Sequence, residues 1–163
     1  MVFREAMARF PSGVTIVTAL DERQRPHGFT ASSLCSVSAD PPLILVCLAN
    51  SARCFPVFST SSAFTVNILG TDQTVLARTF ASGSADKFAE GAFRHSPQGG
   101  LSLDGAVAVL DCTVHEQYPA GDHTIIVGAV TMVDLGERRD PAVYWDRRFT
   151  RVCASETMPR PLR

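Results

Sequence analysis

Short runs of β-branched and apolar residues alternate along the chain with clusters of Gly, Pro, Ser and Asp, and this pattern predicts a protein built mainly of strands. The predicted strands cover residues 14–19, 27–38, 43–48, 63–69, 106–118, 123–135 and 143–152. The run 43–48 is continuously apolar, so we expect it to be buried on both faces. Strand–helix–strand units long enough for a parallel crossover are few, and the pattern therefore favours an antiparallel barrel or sandwich.

Helical periodicity is confined to short segments. Phe3, Met7 and Phe10 recur at helical spacing near the N-terminus. Ser51 is a candidate N-cap for a second helix through about residue 59, with Pro56 in its first turns. Helices are therefore expected as short additions to the sheet.

A third helix is expected after Asp72, which can cap it while Val75, Leu76 and Phe80 form its apolar face. Residues 81–105 follow, with many Gly, Ser and Pro residues. Connections in compact domains usually span about 4–6 residues, so a loop of this length indicates a functional or a disordered segment.

The composition limits the class of protein. A chain of 163 residues with 45% apolar residues can bury the core of one domain, and its formal net charge of −1 argues against nucleic acid as the main partner. The N-terminus lacks a basic region followed by an apolar run, and no apolar stretch approaches about 18 residues, so neither a signal peptide nor a membrane span is expected.

The five cysteines are odd in number and lie in apolar surroundings, which indicates reduced thiols and a cytoplasmic location. Cys112 and His115 lack a second ligand pair, so no metal site is expected.

Two polar clusters adjoin predicted strands. Residues 28–33 offer hydroxyl and backbone N–H groups that suit a polar ring or a phosphate, with the solvated face of an edge strand as the alternative. Residues 48–53 open the second predicted helix, where backbone N–H groups and Arg53 would attract an anion. An ordinary capped turn is the alternative for this second cluster.

Two further clusters carry ionisable groups. Lys87, the only lysine, lies among small hydroxyl residues at 82–88 and suits a phosphate dianion, with a solvated surface lysine as the alternative. His123 follows the flexible Gly121 and could present its imidazole to a ligand, with a structural role as the alternative. No Gly-x-Ser-x-Gly elbow and no glycine-rich nucleotide loop occurs, so the pattern supports neither a serine hydrolase nor the usual nucleotide-binding fold.

The order and spacing of several motifs together resemble the short-chain flavin reductases, which supply reduced flavin to two-component monooxygenases. The matching segments are 10–18, 28–33, 36–42, 84–88 and 121–123, within a span from about residue 4 to residue 152. The likeness is strongest to the actinorhodin-type reductases of aromatic polyketide pathways, which implies a role in antibiotic biosynthesis. It departs from the family pattern at residues 145–149, where a glycine is common in the family.

The resemblance implies a mainly β, antiparallel and Greek-key-like split β-barrel of the FMN-binding type, with a few short helices. This domain would cover residues 4–152, form a homodimer and be followed by a disordered tail at 154–163. It would transfer a hydride from NADH, with NADPH as the alternative, to FMN, with FAD as the alternative. The reduced flavin would pass to a partner monooxygenase.

The resemblance also implies a set of site residues. Residues 30–33 would contact the flavin ring and ribityl chain, and residues 47–50 would lie along the isoalloxazine. Ser51, Arg53 and Lys87 would lie near the phosphate. The implied flavin-binding residues are Thr30, Ala31, Ser32, Ser33, Cys47, Leu48, Ala49, Asn50, Ser51, Arg53, Cys54, Phe80, Ala81, Lys87, Phe88 and Tyr144, and the implied catalytic residue, facing the nicotinamide, is His123.

Two other functions stay open at this point. A split-barrel protein could hold FMN tightly as a prosthetic group and act as an oxidase or an electron carrier. A non-catalytic flavin- or haem-binding dimer is the second alternative. Retention of FMN on gel filtration and flavin-dependent NADH consumption distinguish these functions from a reductase.

Overall fold

The computed structural model describes residues 2–84, 86–97 and 99–152. Its helices are α1 (Val2–Ala8), α2 (Phe55–Phe58) and α3 (Thr74–Ala81), and a 3₁₀ turn covers Thr71–Gln73. Its strands are β1 (Ser12–Gly13), β2 (Thr15–Leu20), β3 (Pro26–Ala31), β4 (Cys35–Ala39), β5 (Pro42–Ala49), β6 (Ala63–Ile68), β7 (Phe93–His95), β8 (Leu101–Leu103), β9 (Ala108–Ala120), β10 (His123–Leu135), β11 (Val143–Trp145) and β12 (Arg148–Thr150). The predicted tail at 154–163 and Cys153 lie outside the described residues.

Seven strands form the main sheet in the order β3-β2-β6-β9-β10-β5-β4, and each of its pairings is antiparallel. The two longest strands, β9 and β10, have 13 residues each and form its central hairpin. Two smaller sheets, β1-β11-β12 and β7-β8, pack beside it. The predicted antiparallel β-protein with a few short helices is confirmed.

The core has two parts that meet at β2. Val17 points into a cluster with Val46, Phe58 and Phe64 inside the barrel. Its neighbour Ile16 points into a second cluster on the outer side, where Leu69, Phe80 and Leu103 pack. Successive side chains of a strand point to opposite faces, so β2 is buried on both sides.

Strand β5 contradicts the prediction of a strand buried on both faces. Ile44, Val46 and Leu48 are buried, whereas Leu45 and Cys47 between them are only partly buried. The continuous apolar run concealed this alternation, because the outer face of β5 is lined by small and apolar residues without being covered. That half-open face forms part of the cavity described below.

Two predicted helices begin elsewhere than expected. Residues 51–54 form turns, and α2 begins after Cys54 because Pro56 fits only the first turn of a helix. The third helix follows the 3₁₀ turn, and its buried residues are Ala77 and Phe80, while Val75 is 64% exposed.

Three other boundaries also differ from the predictions. The extended run 27–38 is broken between β3 and β4, and the segment 81–105 contains the β7-β8 hairpin. The final strand, 143–152, is split into β11 and β12 by a turn at Asp146 and Arg147. The breaks at residues 32–34 and 146–147 contain neither proline nor glycine, so punctuation by these residues could not place them, whereas the segment 81–105 contains both.

Candidate active site

A cavity of about 400 Å³ opens where β3, β5 and β10 approach the end of α3. We call it the main cavity. Its lining residues are Phe29, Thr30, Cys47, Leu48, Ala49, Ser51, Ala52, Arg53, Cys54, Phe80, Ala81, Ser82, Gly83, Lys87 and His123. The fold therefore brings eleven of the seventeen implied site residues together in one place, from five separate segments of the chain.

A second, smaller cavity of about 280 Å³ adjoins the first, and Thr30 and Ala81 line both. We call it the outer cavity. Ser32 and Tyr144 lie here and not in the main cavity. The remaining lining residues are Val14, Ala77, Arg78 and Phe149.

Four of the implied residues line neither cavity. Ala31 is buried in the barrel, and Ser33 accepts a hydrogen bond of 2.9 Å from the N–H of Cys47. Phe88 packs edge-on against Phe80, with ring centroids 4.9 Å apart. Asn50 accepts a 2.8 Å hydrogen bond from Thr124. These four residues therefore lie behind the walls of the cavities and support them.

Lys87 links two walls of the main cavity. Its Nζ donates to the carbonyl of Phe80 at 2.7 Å and to that of Gly28 at 3.4 Å. Burial lowers the pKa of Lys87 from its usual value, although the neighbouring Cys54 acts in the opposite direction. An ammonium group has three donors, so one remains for an acceptor in the cavity.

Arg53 lines the same cavity as Lys87 and donates from Nη1 to the carbonyl of Gly83 at 2.6 Å. Among the described residues neither Arg53 nor Lys87 forms a salt bridge with a carboxylate. Both cations are instead held by neutral carbonyls. The cavity consequently keeps a local positive charge available to an anion.

The turn at residues 50–54 lines the same cavity through Ser51, Ala52, Arg53 and Cys54. The N–H of Asn50 donates to Asp122 and that of Ala52 to Ala49, both at 2.9 Å. Within the described part of the chain, the N–H groups of Ser51 and Arg53 have no protein acceptor. Unpaired amides beside a guanidinium favour a phosphate or another anion.

His123 stands at the start of β10, opposite Ala49 of β5. Its Nδ1 lies 2.7 Å from a carboxylate oxygen of Asp122. That hydrogen bond is the main reason why the pKa of Asp122 is lowered. The carboxylate fixes the orientation of the ring, and the histidine contributes to the cavity lining.

Two thiols complete the lining. Cys54 is buried, and burial raises the pKa of its thiol, which favours the neutral form. Cys47 lies on the half-open face of β5. Neither is paired with a histidine in the described structure, so this cavity carries no activated nucleophile of the cysteine–histidine type.

The cavity suits a bound polar ring that carries a phosphate. Its volume falls in the range of about 300–1,000 Å³ that is usual for small-molecule sites. Apolar walls from Phe29, Leu48 and Phe80 can contact a ring, and two cations with two backbone amides can hold an anion. Gly28 is needed behind this wall, because a Cβ there would lie 2.8 Å from the ring of Phe80.

Comparison with known proteins decides which family uses this arrangement. Residues 7–152 match the flavin reductase like domain. The chain belongs to the flavin reductase family. The resemblance carried by the sequence motifs is thereby confirmed, and the split β-barrel is the fold of this family.

Two relatives show how close the likeness is. This flavin reductase is 56% identical over 154 residues to the actinorhodin polyketide dimerase of Streptomyces coelicolor, covering 94% of this chain and 87% of that one. It is 41% identical over 147 residues to the NADH:riboflavin 5'-phosphate oxidoreductase of Streptomyces pristinaespiralis, covering 90% and 84%.

A solved structure matches nearly the whole chain as well. The NADH:FAD oxidoreductase of Streptomyces globisporus, solved with NAD and FAD fragments, superposes with a TM-score of 0.89 at 34% identity. The match covers 94% of this flavin reductase and 93% of that chain.

Phe29 and Gly83 line the main cavity and lie within the predicted clusters 28–33 and 82–88, although they are not among the implied binding residues. Sequence reasoning missed Arg78 and Phe149 of the outer cavity. Arg78 and Ala81 are three residues apart on α3 and so face the same side, a signal that helical periodicity could have supplied. No local signal marks Phe149, because its place depends on tertiary packing. The structure describes no group of three or more metal-ligating side chains and, in the same residues, no helix that is long and apolar enough to span a bilayer.

Proposed function

We propose that this chain oxidises NADH and transfers the hydride to FMN, which it then releases to a partner monooxygenase. The observation that carries the proposal is the main cavity, where Lys87, Arg53 and two free amides face apolar walls. A phosphate-bearing planar ring matches that combination. FAD in place of FMN and NADPH in place of NADH are the alternatives within the same reaction.

The residues divide into two groups by what they would hold. Lys87, Arg53 and the amide of Ser51 would bind the flavin phosphate, because they are the cationic and unpaired donors of the main cavity. Cys47 and Ala49, on the half-open face of β5, would lie along the ring system. His123 would face the nicotinamide.

The flavin, when bound, supplies a ring that accepts a hydride from the nicotinamide. The protein has to hold the two rings together and exclude water, and such positioning alone can lower a barrier by as much as about 7–11 kcal/mol. Among the described residues that line the cavity there is no carboxylic acid. The backbone donors near Ser51 would stabilise negative charge.

Release distinguishes a reductase from a protein that keeps its flavin. The phosphate would be held by one lysine, one arginine and backbone groups at an open cavity. We expect a dissociation constant on the order of micromolar, about 8 kcal/mol of binding free energy. A tightly retained flavin would instead favour an oxidase or an electron carrier.

We also propose a homodimer, a cytoplasmic location and a partner monooxygenase from an antibiotic pathway. The exposed apolar residues of α1, among them Val2 (86% exposed) and Phe3 (75% exposed), offer a surface for a second copy. The similarity to the actinorhodin protein supports the pathway. Size measured by light scattering tests the dimer.

The test of the proposed activity is NADH oxidation followed by absorbance, with and without FMN. We expect consumption that depends on FMN and a flavin that separates from the protein on gel filtration. Absence of flavin-dependent NADH loss would overturn the reductase function. A yellow protein peak that survives dilution would favour a prosthetic flavin. Repeating the assay with FAD, riboflavin and NADPH defines the two preferences.

A further inference from the structure

The hairpin β11-β12 has an unusual turn. Its two turn residues, Asp146 and Arg147, both have positive φ, at 49° and 59°. They connect the paired residues Trp145 and Arg148. A two-residue turn of this type normally uses Asn-Gly, Asp-Gly or Gly-Gly, so Asp146 suits its position, whereas the side chain of Arg147 disfavours the left-handed region that it occupies. Other contacts must therefore hold this tip in place.

Helix α1 and Arg9, the residue that follows it, supply three such contacts. The carboxylate of Glu5 accepts a 2.8 Å hydrogen bond from the guanidinium of Arg147. The N–H of Asp146 donates to the carbonyl of Ala8 at 2.7 Å, and the indole of Trp145 donates to the carbonyl of Arg9 at 3.1 Å. The three residues of the hairpin tip are thus attached to α1 and to the residue directly after it. We call this set of contacts the latch.

The same hairpin carries a wall of the outer cavity. Tyr144 and Phe149 are directly paired across β11 and β12, and their rings meet edge-on with centroids 5.4 Å apart. The guanidinium carbon of Arg78 lies 5.3 Å from the centre of the Phe149 ring. At its base the hairpin is already fixed, because Tyr144 pairs with Ser12 of β1. The tip is the end that depends on α1.

We propose that the Glu5–Arg147 pair is a positioning device, through which α1 keeps Tyr144 and Phe149 in place for the dinucleotide substrate. This inference rests on the proposed function. The main cavity holds the phosphate donors assigned to the flavin and His123 assigned to the nicotinamide, which leaves the adjoining outer cavity for the rest of the dinucleotide. Two aromatic rings beside a guanidinium suit an aromatic ring and a phosphate of a dinucleotide. Glu5 and Arg147 touch neither cavity, so they act through the hairpin.

The test uses Glu5→Gln, which keeps the shape of the side chain and removes its charge. We expect the KM for NADH to rise about two- to fivefold, in keeping with an exposed ion pair, while kcat and the KM for FMN stay unchanged. Trp145 is the only tryptophan, so its fluorescence without ligand reports the latch directly. We expect its emission to shift to longer wavelength. We also expect the indole ring to become more accessible to a neutral quencher.

A second variant tests whether Glu5 acts on the KM for NADH through Arg147 and the hairpin. Arg147→Gly removes the partner of Glu5 and also the side chain that the left-handed backbone disfavours. In that background Glu5→Gln should produce no further change in the KM for NADH. The matched control is Arg94→Gln, which breaks an exposed 2.5 Å ion pair with Asp104 on another hairpin. It should leave both the emission and the KM unchanged.

Three results would overturn the proposed role of the latch in positioning Tyr144 and Phe149. Emission of Trp145 that shifts without any change in KM makes the pair merely structural. A change in KM without a shift in emission excludes the route through the hairpin. An equal additional effect of Glu5→Gln in the Arg147→Gly background excludes the coupling of the two residues. A wild-type protein without flavin-dependent NADH oxidation would instead refute the proposed function, so the two failures are distinguishable.

Discussion

Two cavities of this protein differ in a way that size does not explain. The larger, about 650 Å³, is lined by the turn between β2 and β3, by the end of α2 and by Gly99. We call it the distal cavity. The main cavity is smaller, about 400 Å³, yet it collects most of the implied site residues. Volume alone would not have selected the cavity that collects these residues.

The two cavities differ in the partners of their charged side chains. In the distal cavity Asp21 accepts hydrogen bonds from the N–H groups of Arg23 and Arg25 and pairs with the side chain of Arg25. The charges of Asp21 and Arg25 are thus satisfied within one turn. In the main cavity Arg53 and Lys87 are bonded to carbonyls only, within the described residues.

This contrast gives a rule for the molecule. Charged groups that neutralise each other stabilise a local turn, whereas cations without a carboxylate are available to an anionic ligand. Variants in the main cavity should change ligand binding, and variants in the distal cavity should change stability.

Lys87→Ala should give the largest change. It removes a partly buried cation assigned to the flavin phosphate, so the KM for FMN should rise about 10- to 100-fold. The loss of its bonds to Phe80 and Gly28 also loosens the wall. Riboflavin, which lacks the phosphate, corrects for that loosening, and its KM should change far less. Steady-state kinetics with both flavins measure the ratio.

The control for this variant is Arg94→Ala, which removes a cation from the β7-β8 hairpin outside the cavity. It should affect neither flavin. Equal increases in KM for FMN and riboflavin with Lys87→Ala would show that the lysine only stabilises the cavity wall and does not bind the phosphate.

Gly28→Ala should reshape the main cavity from behind. The added Cβ would lie 2.8 Å from the Phe80 ring and 2.9 Å from the carbonyl of Val17. Such overpacking costs about 1–3 kcal/mol of unfolding free energy. Displacement of Phe80 should also weaken FMN binding, which urea denaturation and fluorescence titration measure separately.

Gly13→Ala is the matched control, because a Cβ at Gly13 meets nothing within 4 Å. Its unfolding free energy should match that of the wild type or exceed it slightly. Equal destabilisation by both variants would show that the effect at Gly28 is not one of space.

His123→Ala should have a smaller effect and one confined to the nicotinamide. Loss of one hydrogen-bonding side chain is worth about 0.5–1.5 kcal/mol, so the KM for NADH should rise about three- to tenfold. The dissociation constant of FMN should stay unchanged. His95→Ala, an exposed histidine on β7, serves as the control. A weakened FMN complex with unchanged NADH kinetics would move His123 to the flavin side.

The sequence predicted the strands and the antiparallel class well, because alternation and turn residues are local signals. It failed at β5, where an apolar run concealed an uncovered face. Whether a face is covered depends on which strand becomes its neighbour. That information is tertiary.

The candidate site divides in the same way. Residues next to a turn, such as Arg53, Lys87 and His123, could be selected from local pattern and family motifs, and they meet in one cavity. The separation of Tyr144 from that cavity could not be foreseen. It depends on the pairing of β11 with β1, two segments about 130 residues apart in the chain.

Asp21→Asn should have the smallest effect, and it is confined to stability in acid. Hydrogen bonds, the largest from the N–H of Arg25, lower the pKa of Asp21 from 3.8 to about 2, and its side chain is 12% exposed. A carboxylate with a depressed pKa stabilises the fold above its unfolded value, and that stabilisation is lost as the pH falls from about 4 to about 2. Asparagine keeps an acceptor without the titration. The urea midpoint of the variant should therefore be lower than that of the wild type at pH 6, with a smaller difference at pH 3. FMN affinity at pH 7 should match the wild type, and any loss of it would contradict the division of roles between the two cavities.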